Sequence, residues 1–88
     1  MEYFKYKNTA ASALVKTGQG SVAGFIINSH TSGTLKLWDN TSAATTVLMN
    51  TYTFTAGSGF VNFPKPIAFD VGLYATIGGT ADITIVFK

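Results

Sequence analysis

The sequence contains no cysteine and no arginine, a single histidine, a single tryptophan and two prolines. Without cysteine there is no disulfide and no thiolate metal site, and the redox compartment stays undetermined. Without arginine there is no planar guanidinium fork to read a phosphate or a base edge. Charge of either sign is scarce: six lysines and four acids make 11% of 88 residues, against about a quarter in an ordinary soluble domain. That density is too low for a disordered tail or a nucleic-acid arm. The sequence pI of about 9.1 reflects a surplus of two lysines and is no basic patch. Long apolar runs are missing as well. The most apolar window, residues 22–27, is six residues long, is interrupted by Gly24, and is too short to span a bilayer. Met1-Glu2-Tyr3-Phe4-Lys5-Tyr6-Lys7 sets polar residues between its aromatics and lacks the apolar stretch of a signal peptide. The expectation is a soluble chain with neither nucleic acid nor membrane as partner.

What is present favours strands. Val, Ile and Thr supply twenty-five residues and the aromatics twelve, a composition that suits pleated, half-buried surfaces. Alternation places them. Ile83, Ile85 and Phe87 share one face of 82–88. Tyr52 and Phe54 point inward from 51–55. Leu35 and Leu37 face a core while Lys36 faces solvent. Val71, Leu73, Ala75 and Ile77 alternate with Gly72, Tyr74 and Thr76. Residues 22–27 are apolar on both faces, as a central or covered strand would be. Between these runs, His30-Thr31-Ser32-Gly33 and Gly57-Ser58-Gly59 read as hairpin loops. Residues 39–42 read as a longer polar loop, and Gly78-Gly79 as a turn into the last strand. Pro64-Lys65-Pro66 cannot sit in a central strand and marks a crossover or an edge. The expected fold is all-β: a small antiparallel β-sandwich of seven to nine short strands, with jelly-roll-like connections among the options. It forms one domain, with 1–17 as an N-terminal strand or arm and 18–88 as the sandwich.

Residues that could carry chemistry are few. His30 is the only imidazole and lies in a Ser/Thr/Gly turn; a nucleophilic site would need it oriented by an acid such as Asp39 or Asp70. Asp39, Asp70 and Asp82 each sit at a strand end, where Asp commonly caps a turn, and a glycosidase pair would need two of them across a cleft. The glycines never introduce a helix, so no phosphate loop is present. The expectation is therefore no enzyme, no cofactor and no metal. Among the aromatics, Phe25, Phe54, Phe60, Phe63, Phe69 and Phe87 read as core. Trp38 falls on the Lys36 face, where it could stack on a sugar ring or meet a partner. Tyr3, Phe4 and Tyr6 could form an arm that adds a strand to a neighbour, or the first strand of their own sheet.

A domain of this length buries only about 60–65% of its unfolded surface, so oligomerisation is the support left once disulfides and metals are excluded. Apolar and Thr-rich surface covered by neighbours would also explain the missing charge. The expected interface is Tyr3, Phe4, Tyr6, Trp38 and Ile26.

Three stretches occur in order: residues 20–28 (GSVAGFIIN), 33–40 (GTLKLWDN) and 79–87 (GTADITIVF). With the Thr-rich strand at 50–55, Phe63-Pro64 and 72–75 (GLYA), they resemble a pattern in short structural proteins of tailed bacteriophages, especially from aquatic environments, over roughly residues 18–88. The resemblance implies a virion component, most directly a small β-sandwich cement or decoration protein on the capsid surface, made in the host cytoplasm. Its partners would be the major capsid protein or other virion proteins, together with copies of itself, a trimer ahead of a dimer. It supplies no catalytic residues. A carbohydrate-binding module of a head fibre or tail is the alternative, with Trp38 and Tyr74 as the platform and Asp39 and Asn40 as hydrogen-bonding partners.

Overall fold

The computed structural model describes residues 4–55 and 58–88. Six strands run through them: β1 (Lys5–Thr9), β2 (Ala13–Thr17), β3 (Gly20–Trp38), β4 (Val47–Thr53), β5 (Gly59–Phe69) and β6 (Gly72–Phe87), and the described residues contain no helix. All pairings are antiparallel.

β3 and β6 are partners along almost their whole length, from Val22↔Phe87 to Trp38↔Tyr74. A straight strand of β3's 19 residues would span about 60 Å, yet the longest dimension of the molecule is 32 Å. The β3–β6 ribbon therefore folds over at its middle. The register shows how: it slips between Ile27 and Ser29 and again between Thr31 and Thr34, each time with an extra residue on β3. Such bulges bend a strand. Backbone at positive φ completes the corner at Ser32 (φ 51°) and at Gly79 (φ 67°), where a side chain would strike the Ser32 carbonyl oxygen. Gly33 donates its N–H to Nδ1 of His30 (3.1 Å), and the His30 ring stands edge-on to Phe54 at 5.2 Å. His30 thus braces the corner.

Folding the ribbon produces two leaves. In the first, β1 pairs with residues 83–87 of β6, these pair with the start of β3, and β3 pairs with β5. In the second, β2 pairs with residues 72–75 of β6, these with the end of β3, and β3 with β4. Counting each half of β3 and β6 separately gives eight segments. The first lies beside the eighth, the second beside the seventh, the third beside the sixth and the fourth beside the fifth. The eighth also joins the third, and the seventh the fourth. That is the strand order of a jelly roll.

The leaves face each other over a core of Val22, Phe25, Ile27, Leu35, Leu37, Phe54, Phe69, Leu73, Ala75, Ala81, Ile83, Ile85 and Phe87. Phe25 of the first leaf meets Tyr52 of the second edge-on at 5.7 Å, and Phe54 closes the cluster 6.1 Å from Phe25. Alternation read from sequence places most of these residues correctly. It differs from the structure in three respects. The chain makes six continuous strands because the corner is built inside β3 and β6; His30–Gly33 and Gly78-Gly79 are bends within strands and not loops between them. Phe60 is 69% exposed and belongs to an outer face. Val71 is exposed in the turn before β6. Pro64 and Pro66 lie in β5, an edge strand, where their missing N–H groups are tolerated. Gly57 of the expected second hairpin lies outside the described residues.

Candidate functional site: the outer face of the first leaf

Side chains between the buried positions of the first leaf point away from the core. Tyr6 stands opposite Val86, Val86 opposite Gly24, and Gly24 opposite Asn62. The next row is Asn8, Thr84, Ile26 and Phe60. Because Gly24 has no side chain, the first row dips between Val86 and Asn62. The dip is an apolar groove of about 250 Å3 lined by Ala23, Gly24, Ile26, Phe60, Asn62 and Val86. Phe60 (69% exposed) and Ile26 (41%) line it, and Tyr6 (73%) stands one strand further out, opposite Val86.

Gly24 is fixed by the backbone. Its φ is +153°, and a Cβ there would collide with the Val61 carbonyl oxygen. It sits at a register shift between β3 and β5, where four residues of β5 (63–66) stand against one of β3. The same irregularity that holds the two prolines thus creates the groove.

Towards the corner the face turns polar. Asp82 accepts hydrogen bonds through Oδ1 from the side-chain amides of Asn8 (2.6 Å) and Asn28 (3.3 Å), and both amides also reach Thr84 Oγ1 (3.2 and 3.1 Å). These four residues come from three strands and cross-link their outer surface.

Of the residues expected at an interface, Tyr6 and Ile26 share this face. Phe4 is 41% exposed just before β1, with Lys88 Nζ 5.2 Å from its ring centroid. Tyr3 lies outside the described residues. Trp38 is on the outer side of the second leaf. There it stands directly opposite Tyr74, within a row that runs Leu14, Tyr74, Trp38, Val47. Its indole N–H is donated to Thr76 Oγ1 (3.0 Å), and Lys36 Nζ lies 4.4 Å above its ring. The Gly24 groove and the Asn8–Asp82–Asn28 cluster had no signal in the sequence, because both are made by residues far apart in the chain.

Asp39 is structural. Asp39 follows β3 and accepts backbone N–H groups from Asp70 (3.1 Å), Val71 (2.9 Å) and Gly72 (3.4 Å), clasping the β5–β6 turn. The Val71 N–H chiefly holds its carboxyl below the ordinary value of 3.8, with Asp70 and Gly72 helping and partial desolvation opposing. A depressed folded pKa stabilises the fold above the unfolded pKa, and that contribution is lost as pH falls through the folded value. Asp39→Asn is therefore expected to flatten the loss of thermal stability below about pH 4. Asp39→Ala should cost about 1 kcal/mol at neutral pH, below the usual range for charged hydrogen bonds because the group is near solvent. Melting curves between pH 7 and pH 2.5 check both.

His30 sits at the corner, whereas Asp39 and Asp70 sit at the opposite end of the sandwich. An open depression of about 450 Å3 at that end is lined by Lys16, Gln19, Gly20, Ser21, Ala68, Phe69, Asp70 and Lys88. No group of three His, Cys, Asp or Glu side chains gathers among the described residues as metal ligands would. No family model, curated protein sequence or solved structure matches this chain.

Proposed function

We propose that this protein is a virion structural protein of the capsid cement or decoration kind, which docks on the phage head shell through the outer face of the first leaf. The observation that carries the reading is that face: Phe60 and Ile26 exposed at an apolar groove, with Tyr6 exposed beyond Val86 on the same sheet face. Aromatic side chains offer 150–250 Å2 each, so Tyr6 and Phe60 alone leave roughly 250–300 Å2 of apolar surface in water. The largest apolar patch on a typical monomer is about 300–600 Å2 and is often functional. The area is smaller than the ~800 Å2 per partner of a stable two-body complex, which suits a protein repeated over a lattice, where avidity multiplies modest contacts. The resemblance in residues 18–88 points to the same setting, with the major capsid protein or another virion protein beneath and sister copies alongside. The work is mechanical: bridging capsomer junctions and resisting internal pressure.

The test is co-sedimentation with expanded phage heads prepared without the protein. Saturable binding supports the reading, and no binding to such heads removes it.

One observation favours the second reading, a carbohydrate-binding module: Trp38 and Tyr74 are direct cross-strand neighbours. The polar half of that site is missing, however. Asp39 is spent on the 70–72 turn, and the Asn40 side chain holds its own loop through Ala44 O and Thr45 Oγ1. A glycan array with the parent and Trp38→Ala separates the two readings, since binding lost with Trp38 belongs to the module alone.

A further inference from the structure

Each leaf ends in two edge strands, and an open edge is a template for another strand unless something spoils it. β5 carries Pro64 and Pro66 and a four-residue bulge. β4 carries two register shifts in seven residues. β2 is interrupted between Leu14 and Lys16. β1 differs: its register with β6 runs unbroken from Lys5↔Phe87 to Thr9↔Ile83, and it contains no proline. Among the described strands, β1 alone is an edge of regular geometry.

Its side chains limit what can join it. Lys5 and Lys7 occupy alternate positions, beside the inward-facing Phe87 and Ile85, whereas Tyr6 and Asn8 point to the outer face. A second copy pairing antiparallel about Tyr6 would set Lys5 against Lys7 twice over, and like charges directly opposite are destabilising. Self-addition in that register is therefore disfavoured. A strand with acids at two alternate positions meets both ammonium groups at once. Its intervening apolar residue then lies beside Tyr6, at the margin of the Gly24 groove.

We infer that the free edge of β1 takes up an extended segment of a partner protein that presents two carboxylates in an i, i+2 arrangement to Lys5 and Lys7. Main-chain hydrogen bonds supply the adhesion, and the two charge pairs supply the selection. The inference rests on the docking function proposed above and names the chemistry of the contact.

The probe is a capped peptide, Thr-Val-Glu-Val-Glu-Val-Thr, with a control carrying Lys for both Glu. Binding is followed by amide shifts of the full-length protein. The Glu peptide is expected to bind about tenfold tighter than the Lys peptide, as two exposed opposite-charge pairs allow, with shifts centred on residues 5–9. In Lys5→Glu/Lys7→Glu the preference reverses. Equal affinities, no binding by either peptide, a preference that persists in the variant, or shifts centred on β2 or β4 overturns the inference. Head co-sedimentation is a separate readout: heads that bind while the peptide preference is absent leave the docking function standing and remove only this edge.

Discussion

Tyr6→Ser combined with Phe60→Ser is expected to fold like the parent and to lose head binding by roughly a thousandfold. Both side chains are more than two-thirds exposed, so truncation leaves no cavity and stability should stay within about 0.5 kcal/mol of the parent per site. On the shell the same residues would be the large anchors. Aromatic hot-spot residues are typically worth about 2 kcal/mol or more each, roughly thirtyfold. Tyr6 on β1 and Phe60 on β5 lie on opposite edges of the first leaf, three strand spacings or about 14 Å apart. At that separation the two losses add. The measurement is occupancy against concentration on expanded heads, paired with melting curves. Trp38→Ala, on the other leaf, is the internal contrast and should bind heads as the parent does. Loss of binding in Trp38→Ala with binding kept in the double variant would turn the molecule around.

The largest effect on stability is expected at Gly24. Gly24→Ala places a methyl group against the Val61 carbonyl oxygen in a backbone region that side chains rarely adopt. Backbone strain costs about 1–3 kcal/mol and the forced overpacking about 1–3 more, so the central figure is about 4 kcal/mol. A domain of this size has about 4–13 kcal/mol in hand, and the melting temperature should fall by roughly 16–32 °C. Gly59 provides the control. Its φ is +151°, but a Cβ there meets nothing within 4 Å, so Gly59→Ala carries the strain without the collision and should cost about 1–3 kcal/mol. If Gly24→Ala melts no lower than Gly59→Ala, the packing of β3 on β5 is looser than described and the groove is not rigid.

Much of the fold was legible because period-two alternation is a local property. Ile83, Ile85 and Phe87, or Leu35 and Leu37 around Lys36, announce their inward face within five residues. Corners are not local in that way. His30-Thr31-Ser32-Gly33 has the composition of a hairpin loop, and only pairing with residues 78–82 shows that the chain bends there and continues in the same strand. Phe60 misled for a related reason. A phenylalanine in a β-rich sequence is core by default, and its outward direction is set by the register of β5 on β3 across a bulge that no single strand reveals. The candidate site was half visible. Tyr6 and Ile26 could be singled out, and Trp38 was correctly set on the Lys36 face. Which of them share a surface depends on strand order. That order puts Tyr6 and Ile26 on one leaf and Trp38 on the other. Asp39 was read as a turn cap from its place at a strand end, but the turn it caps lies 31 residues away in sequence.

The scarcity of charge now has a location. Four of the six lysines (Lys5, Lys7, Lys65 and Lys88) lie on strands of the first leaf or at their ends, as do Asp70 and Asp82, and Asp82 is held by two asparagines.

The most direct test is an electron-microscopy map of the particle at a resolution that traces strands. The account predicts the sandwich on the outside of the head shell, with Tyr6, Ile26 and Phe60 against the capsid protein and the Trp38 row turned away. Density for the protein at a fibre or tail tip, or on the head with the second leaf against the shell, would contradict it.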